Sequence, residues 1–248
     1  MGLSNAKQVR VLDLFSGSGS VDKVEGYDVT SVDNQPLVLG HRPTHCVDIL
    51  KWDYKSLYEP GSFDIVWASP PCEQYSVART TARTPRNLEL ADALSAKARE
   101  IIDYLKPGAW VIENPRSSML WSRPHMLGLN TYVADYCRYG MSYQKPTRFA
   151  CNVPLELLVC RKASRCNSMM TADETAAVLQ GDLPPCFQKY KLQKGPPEWH
   201  VQRIGWMNRS ERFDDRKSLA IGKSKYAVVS QVPPSLVGSI FDQILLKV

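Results

Sequence analysis

Five short apolar runs in the first half of this chain each end on a residue able to do chemistry, and that repetition narrows the folds open to it. Residues 9–14 (VRVLDL) carry Asp13 at their end, and residues 29–32 run into Asp33-Asn34. Residues 44–47 lead to Asp48-Ile49, residues 63–68 to SPPC, and residues 109–112 to Glu113-Asn114-Pro115. Runs of four to six apolar residues suit strands buried on both faces. Between the fourth and fifth, Leu90, Leu94, Ala98, Ile101, Ile102 and Leu105 recur at three- and four-residue steps, which predicts an amphipathic helix over residues 87–105, stopped by Lys106-Pro107-Gly108. Strands alternating with helical connections predict an α/β protein with a doubly wound, mostly parallel sheet. In such a sheet the carboxyl ends of the strands share one edge, the ligand-binding edge. Asp13, Asp33, Asp48, Cys72 and Glu113 are therefore expected to converge.

The second half reads differently. Residues 1–125 carry 14 Lys+Arg against 15 Asp+Glu, and residues 126–248 carry 17 against 10, so the net charge of +6 lies in the second half. That imbalance suggests a part that meets a polyanion, although a solvated basic surface gives the same count. The expected organisation is a catalytic unit over residues 1–150 and a small, loop-rich basic module over residues 151–225. Residues 226–248 would then return to the first unit through a strand at 226–229 and a helix at 235–246. Seven cysteines without a CxxC pair argue against a disulfide framework and for a reducing compartment, cytoplasmic or nuclear. No stretch reads as a signal peptide or a membrane span, and a monomer is expected.

Two loops carry the chemistry. FSGSGS, residues 15–20, supplies Gly17 and Gly19 where backbone approaches a nucleotide, but Asp22 stands in place of the third glycine of a dinucleotide fingerprint. A pyrophosphate thus has no cradle. A nucleoside without phosphates fits better, with Asp33 accepting from ribose hydroxyls and Asp48 facing an adenine amino group. Glycines serving only a tight turn remain an alternative here. Cys72 likewise has two readings, an inert loop thiol or a nucleophile presented by the rigid Pro70-Pro71 step.

Taken in order, these pieces resemble the DNA (cytosine-5) methyltransferase family. DLFSGSGS, residues 13–20, resembles its first motif, which implies Asp13, Phe15, Gly17 and Gly19 as contacts to S-adenosylmethionine. Asp33 with Asn34, and Asp48 with Ile49, match the second and third motifs. SPPCEQYS, residues 69–76, matches the nucleophile motif, which implies Cys72 as the attacking thiol and Pro70 beside the cofactor. The same match sets Pro71, Gln74 and Ser76 beside the substrate. ENP at 113–115 resembles the usual Glu-Asn-Val, which implies Glu113 as a catalytic residue and Asn114 as a substrate contact. YGMSYQKPTRF, residues 139–149, resembles Gln-x-Arg-x-Arg, keeping Gln144 and Arg148 but with Pro146 where the first arginine is expected. YAVVSQVPPSLVGSIF, residues 226–241, resembles a diverged last motif, with Val229-Ser230 in place of Gly-Asn and Ser230 as a cofactor contact.

The resemblance implies a Rossmann-like methyltransferase sheet, a target-recognition module, S-adenosylmethionine as cofactor, no metal, and double-stranded DNA as partner. It implies that Cys72 adds to carbon 6 of a flipped cytosine, that Glu113 holds ring N3 and the exocyclic amine, and that Arg148 donates to the 2-oxo group. Arg79 and Arg83 would follow the nucleophile toward DNA. Open alternatives are an inactive fold serving as a DNA-binding or regulatory module, and an RNA cytosine methyltransferase. Methylation of an exocyclic amine fits less well, because Cys72 takes the position of a stacking aromatic. Cys160, Cys166, Cys186 and His200 could form a three-Cys, one-His zinc site, but without a short CxxC knuckle separate thiols are the favoured reading.

Overall fold

The computed structural model describes residues 8–77, 79, 84–139, 145–160 and 231–248. Seven strands form one sheet: β1 (Val9–Leu14), β2 (Tyr27–Asp33), β3 (His45–Cys46), β4 (Ile65–Ala68), β5 (Ala109–Pro115), β6 (Thr131–Asp135) and β7 (Pro146–Cys151). Their order is β3-β2-β1-β4-β5-β7-β6. The first five are parallel, with Val11 of β1 opposite Val29 of β2 on one side and Ile65 of β4 on the other. From β1 the chain builds outward through β2 and β3, then crosses back to β4. The crevice between β1 and β4 is therefore the point where strand order reverses, the usual ligand position in open α/β sheets.

β7 runs antiparallel between β5 and β6, pairing Glu113 with Phe149 and Asn114 with Arg148. Neither β6 nor β7 was anticipated from the sequence. A Pro and an Arg interrupt the apolar signal of PTRFAC, and proline at the first position of a strand costs little because it need not donate to the ladder.

Each sheet face has its own helix. α1 (Leu88–Leu105) buries Ala98, Ile101, Ile102 and Leu105 against Leu12, Leu14, Val66 and Ile112. Asn87 caps it, its side chain accepting from Leu90 N at 3.0 Å, so the predicted start is the cap itself. Lys106 closes it in the left-handed conformation (φ 48°), ahead of Pro107. α2 (Pro234–Leu245) covers the opposite face, packing Leu236, Val237, Ile240, Phe241 and Ile244 on Trp67, Val111 and Phe149.

The expected helical connections are otherwise missing among the described residues. Residues 15–26 between β1 and β2 form turns, and the β3–β4 connection holds one 3-10 turn at Tyr54–Ser56. Aromatic rings do the packing there instead. Trp52 lies 5.8 Å from Tyr54 and 5.4 Å from His45 between ring centroids, and Tyr58 lies 4.9 Å from Phe63. The strand expected at 226–229 lies outside the described residues.

Phe241 is fully buried, with Tyr27 4.8 Å away and Trp67 6.0 Å away between ring centroids. Phe241→Ala is expected to remove about 3–5 kcal/mol of stability, read as a lowered urea midpoint with an unchanged slope.

Candidate active site

The turn after β1 is built around backbone conformations that side chains seldom adopt. Gly17 and Gly19 have φ of 50° and 66°, and Phe15 has φ 61°, unusual for a residue with a Cβ. Such an outlier costs of order 1 kcal/mol and persists only where neighbours fix it. Here Ser16 N donates to Val32 O at 3.1 Å, Gly19 N to Ser16 O at 2.9 Å, and Gly17 N to the Asp33 carboxylate at 2.8 Å. The other Asp33 oxygen accepts from Gln35 N at 2.9 Å. Gly19 has a second constraint, because a Cβ there would sit 2.4 Å from the His41 ring. His41 itself faces Ser16 Oγ at 3.2 Å and the Asp22 carboxylate at 3.7 Å.

Asp13 ends β1 beneath this turn, 2% exposed. Burial, then the charges of Asp22 and Asp33, push its carboxyl well above the usual range. Carboxyl groups gathered closely enough to repel one another disfavour phosphate and suit a cation. No helix follows β1 to cradle a pyrophosphate at its N-terminus. A nucleoside bearing sulfonium and ammonium charges, as S-adenosylmethionine does, fits this donor set; a dinucleotide does not. Asn34 is exposed beside Asp33, Asp48 closes a turn by accepting from Leu50 N at 3.0 Å, and Ile49 is buried in the core beneath them. Ser20 Oγ accepts from Val232 N at 3.1 Å, so the segment before α2 does return to this turn. Ser230 lies outside the described residues.

The loop after β4 faces the same crevice. Pro70 and Pro71 have no N–H, so the loop is held through its carbonyls. The buried Asn114 side chain donates to Pro70 O at 2.8 Å, and Tyr75 N donates to Cys72 O at 3.1 Å. Tyr75 is fully buried, and its hydroxyl contacts Asp92 at 2.8 Å and Ser95 at 2.9 Å on α1. Arg123 forks onto the same Asp92 carboxylate. Cys72 itself is partly buried. Burial pushes its thiol up, the Lys145 ammonium pulls it down, and Glu113 and Glu73 push it up further.

Glu113 sits on β5, 6% exposed, with Tyr136 Oη donating to it at 3.1 Å. Ser69 hydrogen-bonds it from the other side while accepting from Trp67 Nε1 at 2.9 Å. Burial raises its carboxyl above the ordinary range, against the opposing pull of Lys145 and these hydrogen bonds. The carboxyl thus holds its proton to higher pH than a solvated glutamate.

The structure gathers Asp13, Phe15, Gly17, Gly19, Asp33, Pro70, Cys72 and Glu113 at the carboxyl edge, as expected. Four of the expected residues take the following places. Arg148 pairs with Asn114, so it lies on the sheet face opposite Glu113, its guanidinium 5.5 Å from the Trp121 ring centroid. Asn114 is fully buried and anchors the loop rather than facing substrate. Gln74 is drawn to the start of α1, its side chain accepting from Asn87 N at 3.0 Å. Arg79 turns inward onto Thr84 and Pro85.

Pro71 is exposed and Ser76 half-buried on this loop. Gln144 and Arg83 lie outside the described residues, as do Cys166, Cys186 and His200. Cys160 Sγ lies 3.0 Å from Cys137 Sγ. Tyr75, Tyr136, His41 and Lys145 were missed. Lys145 is two residues before Thr147, in phase with Thr147, Phe149 and Cys151 on Glu113's face, a facing that only the pairing of β7 with β5 reveals.

A doubly wound sheet with a glycine turn and a cysteine loop at its switch point defines a Rossmann-like fold with its ligand crevice between β1 and β4. The comparisons sharpen that class. A probable DNA (cytosine-5)-methyltransferase of Frog virus 3 (isolate Goorha) is 36% identical over 155 residues, 56% of this chain and 69% of that protein. The chain belongs to the DNA (cytosine-5)-methyltransferase family. The Entamoeba histolytica methyltransferase EhMeth shares the fold with a TM-score of 0.50 at 12% identity, over 96% of this chain and 98% of the other. The S. pombe Dnmt2 methyltransferase does so with 0.50 at 13% identity, over 97% and 99%. No protein-family model matches the chain.

Two expectations follow. Asn114→Ala leaves Pro70 O buried without its donor and should cost about 1–3 kcal/mol, with faster proteolysis within the cysteine loop than elsewhere. The folded protein binds Asp13's proton more tightly than the unfolded chain does, so stability falls as pH rises from the ordinary carboxylate range through the raised value. Asp13→Asn should therefore raise the neutral-pH melting temperature of the ligand-free protein. Added S-adenosylmethionine should raise the wild-type melting temperature and leave that of Asp13→Asn unchanged, both read by thermal melting.

Proposed function

We propose that this protein transfers a methyl group from S-adenosylmethionine to carbon 5 of cytosine in double-stranded DNA. The observation that carries the reading is the pairing of Cys72 with Glu113, a buried carboxyl whose proton affinity is raised by desolvation. Carbon 5 of cytosine is a poor nucleophile until the ring is activated. Cys72 Sγ adds to carbon 6, which makes carbon 5 enamine-like. Glu113 holds the ring at N3 and the exocyclic amine, and a carboxyl that keeps its proton donates to N3 as charge develops there. Tyr136 and Ser69 fix that carboxyl from both sides, so its orientation is set before the base arrives.

Bound S-adenosylmethionine supplies the electrophilic methyl group, and Asp13, Asp22 and Asp33 provide the anionic surroundings that suit its charge. Loss of the carbon-5 proton and departure of Cys72 then restore the aromatic ring. A base stacked in a duplex cannot reach a thiol at the bottom of a crevice. The target must therefore swing out, at a cost of a few kcal/mol offset by contacts in the site. The net charge of the second half supports the phosphate contacts such binding needs.

Bisulfite sequencing of DNA incubated with the protein and S-adenosylmethionine should show protected cytosines in a defined context. Cys72→Ala should read blank, and Glu113→Gln should slow transfer by about 10²–10³-fold. An RNA substrate run in parallel separates the polymer classes. Methyl incorporation confined to RNA would reject DNA, and incorporation that survives Cys72→Ala would reject the adduct.

A further inference from the structure

Cys72 and Glu113 are both acids, and the proposed chemistry needs one of them without its proton and the other with it. An isolated pair would settle the wrong way, because a carboxyl ordinarily ionises several pH units below a thiol. Something on the reacting face has to favour negative charge at sulfur once Glu113 is neutral. The motif comparison offered Arg148 as the cation of this site, but the β5–β7 register turns it to the other face, onto Trp121.

Lys145 is the cation that the fold brings there instead. It enters β7 two residues before Thr147, and the alternation Thr147, Phe149, Cys151 continues on the face that carries Glu113. Its carbonyl accepts from Tyr136 N at 3.3 Å, which ties the strand entry to the residue that contacts Glu113. Its ammonium lies 4.9 Å from the centroid of the Tyr136 ring, whose hydroxyl donates to Glu113 at 3.1 Å. Pro146 then fixes the backbone immediately after it.

We propose that Lys145 is a catalytic residue, the fixed positive charge that stabilises the Cys72 thiolate and the charge transferred to the pyrimidine as the adduct forms. This rests on the reading of Cys72 as the nucleophile. The proton count closes without consuming the lysine. Cys72 loses its proton, the Sγ–carbon 6 bond forms as the carbon 5–carbon 6 double bond opens, and the proton ends on ring N3 by way of Glu113. One positive charge thus faces one negative charge at each stage, on Glu113 or sulfur before addition and on the Glu113 carboxylate once N3 holds the proton. Besides Lys145, two charged groups act on the sulfur: Glu113 from β5 and Glu73 from its own loop. Both acidic groups oppose thiolate formation, so the lysine is the one favourable charge among these.

The test needs neither DNA nor S-adenosylmethionine. The full chain is alkylated with iodoacetamide across a pH series, and modification of the Cys72 peptide is followed by mass spectrometry. Lys145→Gln should raise the midpoint by about one pH unit, lowering the alkylation rate at neutral pH about tenfold, and Lys145→Arg should restore it to within a few-fold. A Lys145→Gln profile superimposable on wild type overturns the proposal. If that variant does not fold, Glu113→Gln keeps the lysine and removes its competing anion, so the midpoint should fall; an unchanged or raised midpoint overturns it equally. A shifted alkylation profile in a protein that methylates nothing leaves the lysine–thiol pairing standing and rejects the proposed function alone.

Discussion

One hydrogen bond decides where Cys72 stands. The two prolines before Cys72 contribute stiffness but no donor, so the loop cannot be sewn to the sheet in the ordinary way. Its fixed point is Pro70 O, which accepts from the fully buried Asn114 side chain on the neighbouring strand. From there the chain needs only one more anchor, and Tyr75 supplies it by reaching Asp92 and Ser95 on α1. Cys72 therefore hangs between a strand and a helix that are themselves core elements. Asn114 adjoins Glu113 on the same strand, so the loop and the carboxyl that works with it are set by consecutive residues pointing to opposite faces. A shift of β5 by one residue would exchange their duties and lose both.

The same edge concentrates charge that the fold alone would not choose. Asp13 is buried with its proton affinity raised, Glu113 is buried with its proton affinity raised, and Phe15 sits in a left-handed conformation. Each costs stability, and each suits the cofactor binding and base chemistry proposed above. Stability comes from elsewhere, in the two apolar layers formed by α1 and α2 on either face of the sheet. The division is sharp along single strands. In β1, Leu12 and Leu14 serve one core and Val11 the other, while Asp13, two residues on from Val11, has left the core for the site.

Much of this was legible before any coordinates. The apolar runs located β1, β4 and β5 to within a few residues, because strands buried on both faces leave an unbroken signature. The periodic run before Lys106 located α1, and the residue expected to begin it proved to be its cap. Polar residues at strand ends pointed to a shared edge, since parallel strands oblige their carboxyl ends to lie together. What failed was local where tertiary contacts override pattern. Residues 15–26 look like the start of a strand–helix unit yet form turns, and His41 occupies the space against Gly19. β7 begins with proline and carries an arginine, so its membership of the sheet is visible only in its pairing with β5 and β6.

Chemical identity along the chain was thus the sequence's contribution: which residues are nucleophilic, acidic or small, and that they cluster at one edge. Facing was not. Arg148 and Lys145 stand three residues apart in one motif, and the motif comparison pointed to Arg148 alone. Only the antiparallel register of β7 separates them, because a strand repeats every two residues and an odd step reverses the side. The same reasoning demotes Asn114 from substrate contact to anchor and leaves Glu113, one residue earlier, in the crevice. Composition and order settle what the edge contains; the pairing of strands settles which side chains meet there.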